Sequence, residues 1–219
     1  MPSDPSSERT MTLYGMPGWG SAIVEAQLVW YGAPFEFQKT GDMFRDKDAA
    51  EKLRAVNPLA QIPTLVMEDG SVMTESAAIT LLLADIYGMG DLVPMPGEPG
   101  RAEFLRWMIF ITSNIYPTYT YIDDPSRFVE DAEAQKGFEE SVTRYRAKLY
   151  RILDKAAGAP FFLGERFSAL DIYVAVLTRW RPGAAWFEAE AKRLSAIAKK
   201  VTAMEEFGDL WERNFPPTA

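Results

Sequence analysis

The apolar pattern of this chain changes character once, at residues 89–100 (MGDLVPMPGEPG), a stretch dense in proline and glycine. Before it the period switches repeatedly between two and about 3.6; after it the period is helical throughout. A chain punctuated this way reads as an α/β domain over residues 11–88, a linker over 89–100 and an all-helical domain over 101–219. Residues 1–10 are polar, carry two prolines and read as a disordered tail rather than a signal peptide.

Within the first part, Met11, Leu13 and Tyr14 suggest a short strand that ends in the turn Gly15-Met16-Pro17-Gly18. Ile23, Val24, Ala26, Gln27 and Leu28 follow helical spacing up to Gly32, a natural C′ residue just before Pro34. Phe35 and Phe37 alternate with polar residues as a half-buried strand does. After an irregular or helical link, residues 63–67 and 71–73 flank Glu68-Asp69-Gly70, a strong hairpin signal. Ser76 is placed to cap a helix with the apolar face Ile79, Leu82, Leu83 and Ile86. The order is βαβ and then ββα, which closes as a four-stranded mixed sheet covered by helices.

Helical spacing in the second part runs from Arg101 to about Ile122, from Glu130 to about Ala157, from Ser168 to about Arg181, and in shorter pieces to Phe215. The start at Ser168 is the most fully specified. Ser168 stands at N-cap and Asp171 at N3, a capping box, with Phe167 and Ile172 as its hydrophobic staple.

Composition then narrows the chemistry. The 219 residues include no cysteine and no histidine. A disulfide framework, a thiolate metal site, a Ser-His-Asp triad and an imidazole base are therefore impossible within the chain. Any strong nucleophile must come from a substrate or a cofactor, and no metal is expected. Against 23 Lys and Arg stand 31 Asp and Glu, a net charge of −8, which argues against nucleic acid. No apolar run reaches the ~18 to 20 residues of a membrane span, and the expected location is the cytoplasm.

Three places bear on function. Ser21, after Gly18-Trp19-Gly20, sits at a helix N-terminus, where a hydroxyl and free N–H groups suit an anion; taken alone, plain N-capping is the leading reading of it. Pro63 opens a strand, and the Ile62–Pro63 bond is a candidate cis bond that would present the Ile62 peptide to a ligand along the edge. Glu75 and Ser76 begin a helix, where they cap it or receive a carboxylate and an ammonium.

In this order and topology the three places coincide with a known pattern. Residues 13–28 (LYGMPGWGSAIVEAQL), 57–79 (NPLAQIPTLVMEDGSVMTESAAI) and 164–175 (GERFSALDIYVA) resemble the cytosolic glutathione transferases, bacterial members with serine at the active position above all. The resemblance spans about residues 11–215. It implies a thioredoxin-like N-terminal domain, an all-helical C-terminal domain and a homodimer. It also implies reduced glutathione as cosubstrate and a small hydrophobic electrophile, in the role of detoxification. Carried over, Ser21 would face the glutathione sulfur, Ile62 before Pro63 would pair with the cysteinyl backbone, and Glu75 and Ser76 would hold the γ-glutamyl end. Trp19 would border the tripeptide, and Gln61 and Lys39 would lie toward its glycyl carboxylate. Met16, Trp19, Phe104, Met108, Thr112 and Tyr116 would line the electrophile's side.

The chain departs from the pattern in three places. Ala60 replaces a usual glycine, which implies a shifted loop before Ile62. Glu25 stands where many relatives have a basic or neutral residue, and Trp19 crowds the turn of Ser21. Thiol conjugation is the leading expectation. Glutathione-dependent disulfide or peroxide reduction and a non-catalytic interaction protein of the same fold are the alternatives.

Overall fold

The computed structural model describes residues 10–88 and 90–216. All of the expected N-terminal tail except Thr10 lies outside the described residues. The chain divides into two compact units.

The first unit is built on a four-stranded sheet of order β2-β1-β3-β4. Strand β1 (Met11–Gly15) pairs in parallel with β2 (Phe35–Lys39) and antiparallel with β3 (Thr64–Val66), which pairs antiparallel with β4 (Val72–Met73). Met11 and Leu13 point into the core while Thr12 and Tyr14 are half-buried, the alternation of a sheet with one covered face. Between β3 and β4 the turn at Asp69-Gly70 closes with Met67 N–H on the Ser71 carbonyl (2.8 Å).

Helix α1 (Ser21–Trp30) is buried from Ser21 through Leu28, because it packs on β1, on α3 (Ser76–Tyr87) and on the chain's last helical segments. It ends as the sequence suggests, with Gly32 left-handed (φ +62°) before Pro34. The link between β2 and β3 holds the short helix α2 (Lys47–Arg54), capped by the Asp46 carboxylate. Two serines expected at N-cap stand one position further in. Gly20 is the N-cap of α1 and Glu75 that of α3. The buried face of α3 also differs from expectation: Ala77, Ile79, Thr80, Leu83 and Ala84 are inside, Leu82 is half-buried and Ile86 is 51% exposed. Helix α3 packs on α1, and small Ala77 and Ala84 rather than the larger Ile86 lie on its buried stripe.

The second unit is helical. It comprises α4 (Arg101–Phe110), a π-turn (Ile111–Ile115), α5 (Tyr116–Asp123), α6 (Ala132–Ala156), α7 (Ala169–Leu177), α8 (Ala184–Glu190) and α9 (Lys192–Thr202). The single helix expected from Arg101 to Ile122 is thus broken by a π-turn ahead of Pro117, whose missing N–H cannot continue the regular ladder. All nine residues of α7 are buried, making it the axis of this unit. Its capping box is present, and the Asp171 carboxylate also takes the Phe162 N–H (2.6 Å).

The expected linker is largely fastened to the helical unit. Leu92 and Val93 are buried, Ala169 N–H donates to the Leu92 carbonyl (2.8 Å), and Arg166 bonds the Gly90 carbonyl and the Glu98 carboxylate. At the other end, residues 203–216, including α10 (Gly208–Asn214), belong to the first unit rather than to the helical one.

Candidate functional site

Strand register gathers the sequence-selected residues of the first unit at one end of its sheet. Gly15, at the end of β1, pairs with Lys39, at the end of β2. Tyr14 pairs with Thr64, so the chain before Thr64 (Gln61, Ile62, Pro63) runs beside Gly15 and Met16. Leu65 pairs with Met73, which carries Thr74 and Glu75 to the far side of Pro63. In the order Lys39, turn 16–20, Ile62–Pro63, Glu75–Ser76, these residues follow the sheet edge. Neighbouring strands lie about 4.8 Å apart, so β1 and β4, two places apart in the sheet, are separated by about 10 Å, the reach of an extended tripeptide.

Both long helices of the unit begin at this end. An α-helix N-terminus carries unpaired N–H groups and a positive partial charge. Among the described residues, the N–H groups of Gly20 and Ser21 have no acceptor. The Ser76 hydroxyl likewise has no partner among the described residues, and Ile62, half-exposed, has neither its N–H nor its carbonyl bonded. The Ile62–Pro63 peptide is cis, as the strand-opening proline suggests. Glu75 is exposed and has φ +63° and ψ +103°, outside the small left-handed region that non-glycine residues tolerate. Such a backbone costs of the order of 1–3 kcal/mol and is typically retained at ligand clamps.

Ala60 is left-handed as well (φ +49°), a conformation that glycine adopts at less cost. Asn57 enforces that shape. Its Nδ2 donates to the Gln61 carbonyl and to Thr64 Oγ1 (3.0 Å each), its Oδ1 accepts Leu59 N–H (3.1 Å), and its carbonyl accepts Ala60 N–H (2.8 Å). Thr64 Oγ1 donates to the Gln61 carbonyl (2.7 Å). Asn57 and Thr64 were not singled out from the sequence, although both lie within the segment that carries the family resemblance.

Ser21 occupies a different setting from the one its spacing suggests. Its side chain is fully buried; Oγ donates to the Met16 carbonyl and accepts the Met16 N–H, both at 3.1 Å. The hydroxyl therefore clamps the turn between β1 and α1 shut. Gly15 is required at that point, since a Cβ there would fall 2.5 Å from Ser21 Cβ and Oγ. Trp19 is half-buried and stacks on Phe44 (5.4 Å between centroids), while Lys39 and Gln61 are exposed.

Glu25 has an internal explanation. Its carboxylate is 1% exposed and takes Arg213 Nε and Nη2 (3.0 and 2.6 Å) and Asn214 Nδ2 (2.8 Å). The unusual acid on the first helix thus answers two residues of the last one.

In the helical unit, Phe104 and Met108 are buried and the Thr112 hydroxyl donates to the Met108 carbonyl (3.1 Å). Tyr116 lies edge-on to Tyr173 and Trp180, its hydroxyl buried, and burial holds that phenol well above its ordinary pKa. Tyr119 donates to the Arg181 carbonyl and shares a 2.7 Å bond with Tyr150; burial pushes it up to about 12. These phenols stay protonated at any working pH. Among the described residues no cluster of three or more carboxylates offers a metal site, and no helix is long and apolar enough to cross a membrane.

Comparison with known proteins accords with this architecture. Residues 23–86 match the glutathione S-transferase N-terminal domain family. An uncharacterized GST-like protein of Escherichia coli K12, YncG, is 36% identical over 203 residues, covering 92% of this chain and 97% of that protein. A Sulfitobacter glutathione transferase homologue solved with bound glutathione superposes with a TM-score of 0.80 at 21% identity, over 93% of this chain and 98% of its own. A sphingomonad glutathione S-transferase complexed with glutathione gives 0.74 at 26% identity, over 92% and 97%. A thioredoxin-like sheet, a helical second half and a close relative spanning nearly the whole chain make this protein a member of the glutathione S-transferase family.

Proposed function

We propose that the protein is a glutathione transferase that joins the glutathione thiolate to a small hydrophobic electrophile. The observation that carries this reading is the convergence, at one end of one sheet, of two helix N-termini, an unpaired Ile62 peptide and a strained Glu75. In this reading the Ile62 peptide pairs with the cysteinyl backbone. Glu75 faces the γ-glutamyl ammonium, and the Ser76 hydroxyl with the N-terminus of α3 takes the γ-glutamyl carboxylate. Lys39 and Gln61 serve the glycyl end. The sulfur lies at the turn 16–20, beside the N-terminus of α1.

The chemistry needs little more from the protein. A thiol with pKa near 8.5 is only a few per cent ionised at neutral pH. Lowering that value by about two units takes roughly 2.7 kcal/mol of preference for the thiolate. Oriented N–H groups at a helix N-terminus supply energies of that order. The thiol proton leaves to solvent. With an aryl halide, the sulfur lone pair forms the carbon–sulfur bond and the halide departs with the carbon–halogen pair. Ser21 contributes by holding Met16, and with it the turn. Of the residues expected on the electrophile's side, Met16, Trp19, Thr112 and Tyr116 are partly exposed, whereas Phe104 and Met108 are buried.

Calorimetric titration with reduced glutathione near pH 7 tests the reading, followed by turnover of an aryl halide against a mixed disulfide. Saturable binding with preference for the halide is expected. Preference for the disulfide would make the protein a reductase, and heat of dilution alone would leave a family fold without its ligand. The family resemblance adds a homodimer, and sedimentation at single-chain mass would refute it.

A further inference from the structure

The turn between β1 and α1 contains Pro17, Gly18 and Gly20, so its own side chains do little to fix its path. From one side Ser21 holds it, through Met16. From the other side the last helix holds it: Gly18 N–H donates to Asn214 Oδ1 at 3.0 Å. The Asn214 carboxamide is 5% exposed, and its Nδ2 donates to Glu25 Oε2 (2.8 Å) and to the Leu210 carbonyl (3.1 Å). Both partners of Nδ2 are pure acceptors. A flipped amide would set oxygen against oxygen there and N–H against N–H at Gly18, so the buried Glu25 carboxylate fixes which way the amide points. Glu25 is in turn held by Arg213. Gly18 is left-handed (φ +79°), and a Cβ on it would lie 3.0 Å from the Asn214 carbonyl, so the α10 backbone is seated directly against the turn.

We infer that Asn214, oriented by Glu25, is a positioning residue that holds the turn 16–20, and with it the N-terminus of α1, in the arrangement that stabilises the bound thiolate. This rests on the glutathione reading above. The last helix, at the far end of the chain, then belongs to the thiolate-activating apparatus, and the buried acid on α1 is part of it.

Four proteins decide the matter: wild type, Asn214→Ala, Glu25→Gln and Leu210→Ala. Leu210 is a buried residue of the same helix whose side chain makes none of these bonds. The readouts are the ultraviolet thiolate absorbance of bound glutathione against pH, glutathione affinity, aryl-halide turnover and the thermal midpoint. In Asn214→Ala the pKa of the bound thiol rises by about one unit, turnover on the acid limb falls by up to about tenfold, and glutathione affinity stays within about threefold. Glu25→Gln shifts the thiol in the same direction, because Arg213 binds Oε1 and Asn214 binds Oε2, and the amide replaces one of those two acceptors by a donor NH2. Leu210→Ala lowers the thermal midpoint without moving the thiol. An unmoved thiol in Asn214→Ala, or an equal shift in Leu210→Ala, overturns the inference while leaving the glutathione reading intact. A wild type that shows no thiolate signal overturns both, and the two failures are told apart by the wild type alone.

Discussion

Ala60 pays a conformational cost that its neighbours impose. A left-handed L-residue is disfavoured by roughly 1–2 kcal/mol, whereas glycine gives back about half of that as lost chain entropy. Ala60→Gly should therefore stabilise the protein by about 0.5–1 kcal/mol, seen as a higher urea midpoint at unchanged slope. A lower midpoint would mean that its buried methyl matters more than its backbone. Gln27 is the opposite case, a fully buried carboxamide on α1 whose Nε2 and Oε1 have no partner among the described residues. An unpaired buried amide costs about 1–3 kcal/mol, so Gln27→Met is expected to stabilise by at least 1 kcal/mol, measured the same way. Both sites illustrate what the sequence withholds. An alanine does not announce a positive φ; the strain arises because Asn57 bonds residues four and seven positions ahead. The buried charge of Glu25 is similarly opaque, since its partners lie 188 and 189 residues away.

Elements with local causes are the ones that were readable. The Asp-Gly hairpin, the Gly32 stop and the start of α7 each depend on a few adjacent residues, and each stands where the pattern puts it. Those set by tertiary contact were not: the inner stripe of α3 is decided where it packs on α1, and residues 90–98 are fastened by Ala169 and Arg166, far along the chain. The capping box of α7 also makes a pH prediction. Burial pushes the Asp171 carboxyl up to about 6, outweighing the N–H and hydroxyl donors from Phe162 and Ser168 that favour its charge. Because the folded-state value is raised, the contribution of this group to stability is full below its unfolded value near 4 and is lost as pH climbs through about 6. The loss amounts to about 3 kcal/mol, and Asp171→Asn, which cannot titrate, will not show it. The unfolding free energy of the wild type minus that of Asp171→Asn should therefore fall by about 3 kcal/mol from pH 4 to pH 7 and then stay level. A value that rises over that range would show that the hydrogen bonds outweigh burial.

At the scale of the whole molecule, the two-part division was legible because periodicity changes at one place, but the return of residues 203–216 to the first unit was not, since a short amphipathic helix carries no address. That return is what brings Asn214 to the turn. The other whole-chain property, the absence of histidine and cysteine, makes the last prediction. Imidazoles titrate near 6.5 and thiols near 8.5, so most enzymes that activate a nucleophile show limbs from such groups in their pH–rate profiles. This chain has neither, and the buried phenols of its helical unit titrate far above the working range. The conjugation rate per unit of bound glutathione should rise with unit slope and level off at a single midpoint. That midpoint should coincide with the spectroscopic pKa of the bound thiol, and Ser21→Ala should move both together by about one unit while lowering acid-limb turnover about tenfold. A second inflection between about pH 6 and 8 would assign proton transfer to a protein group. A Ser21→Ala profile that fell in height without moving its midpoint would assign Ser21 to binding the electrophile rather than to shaping the turn.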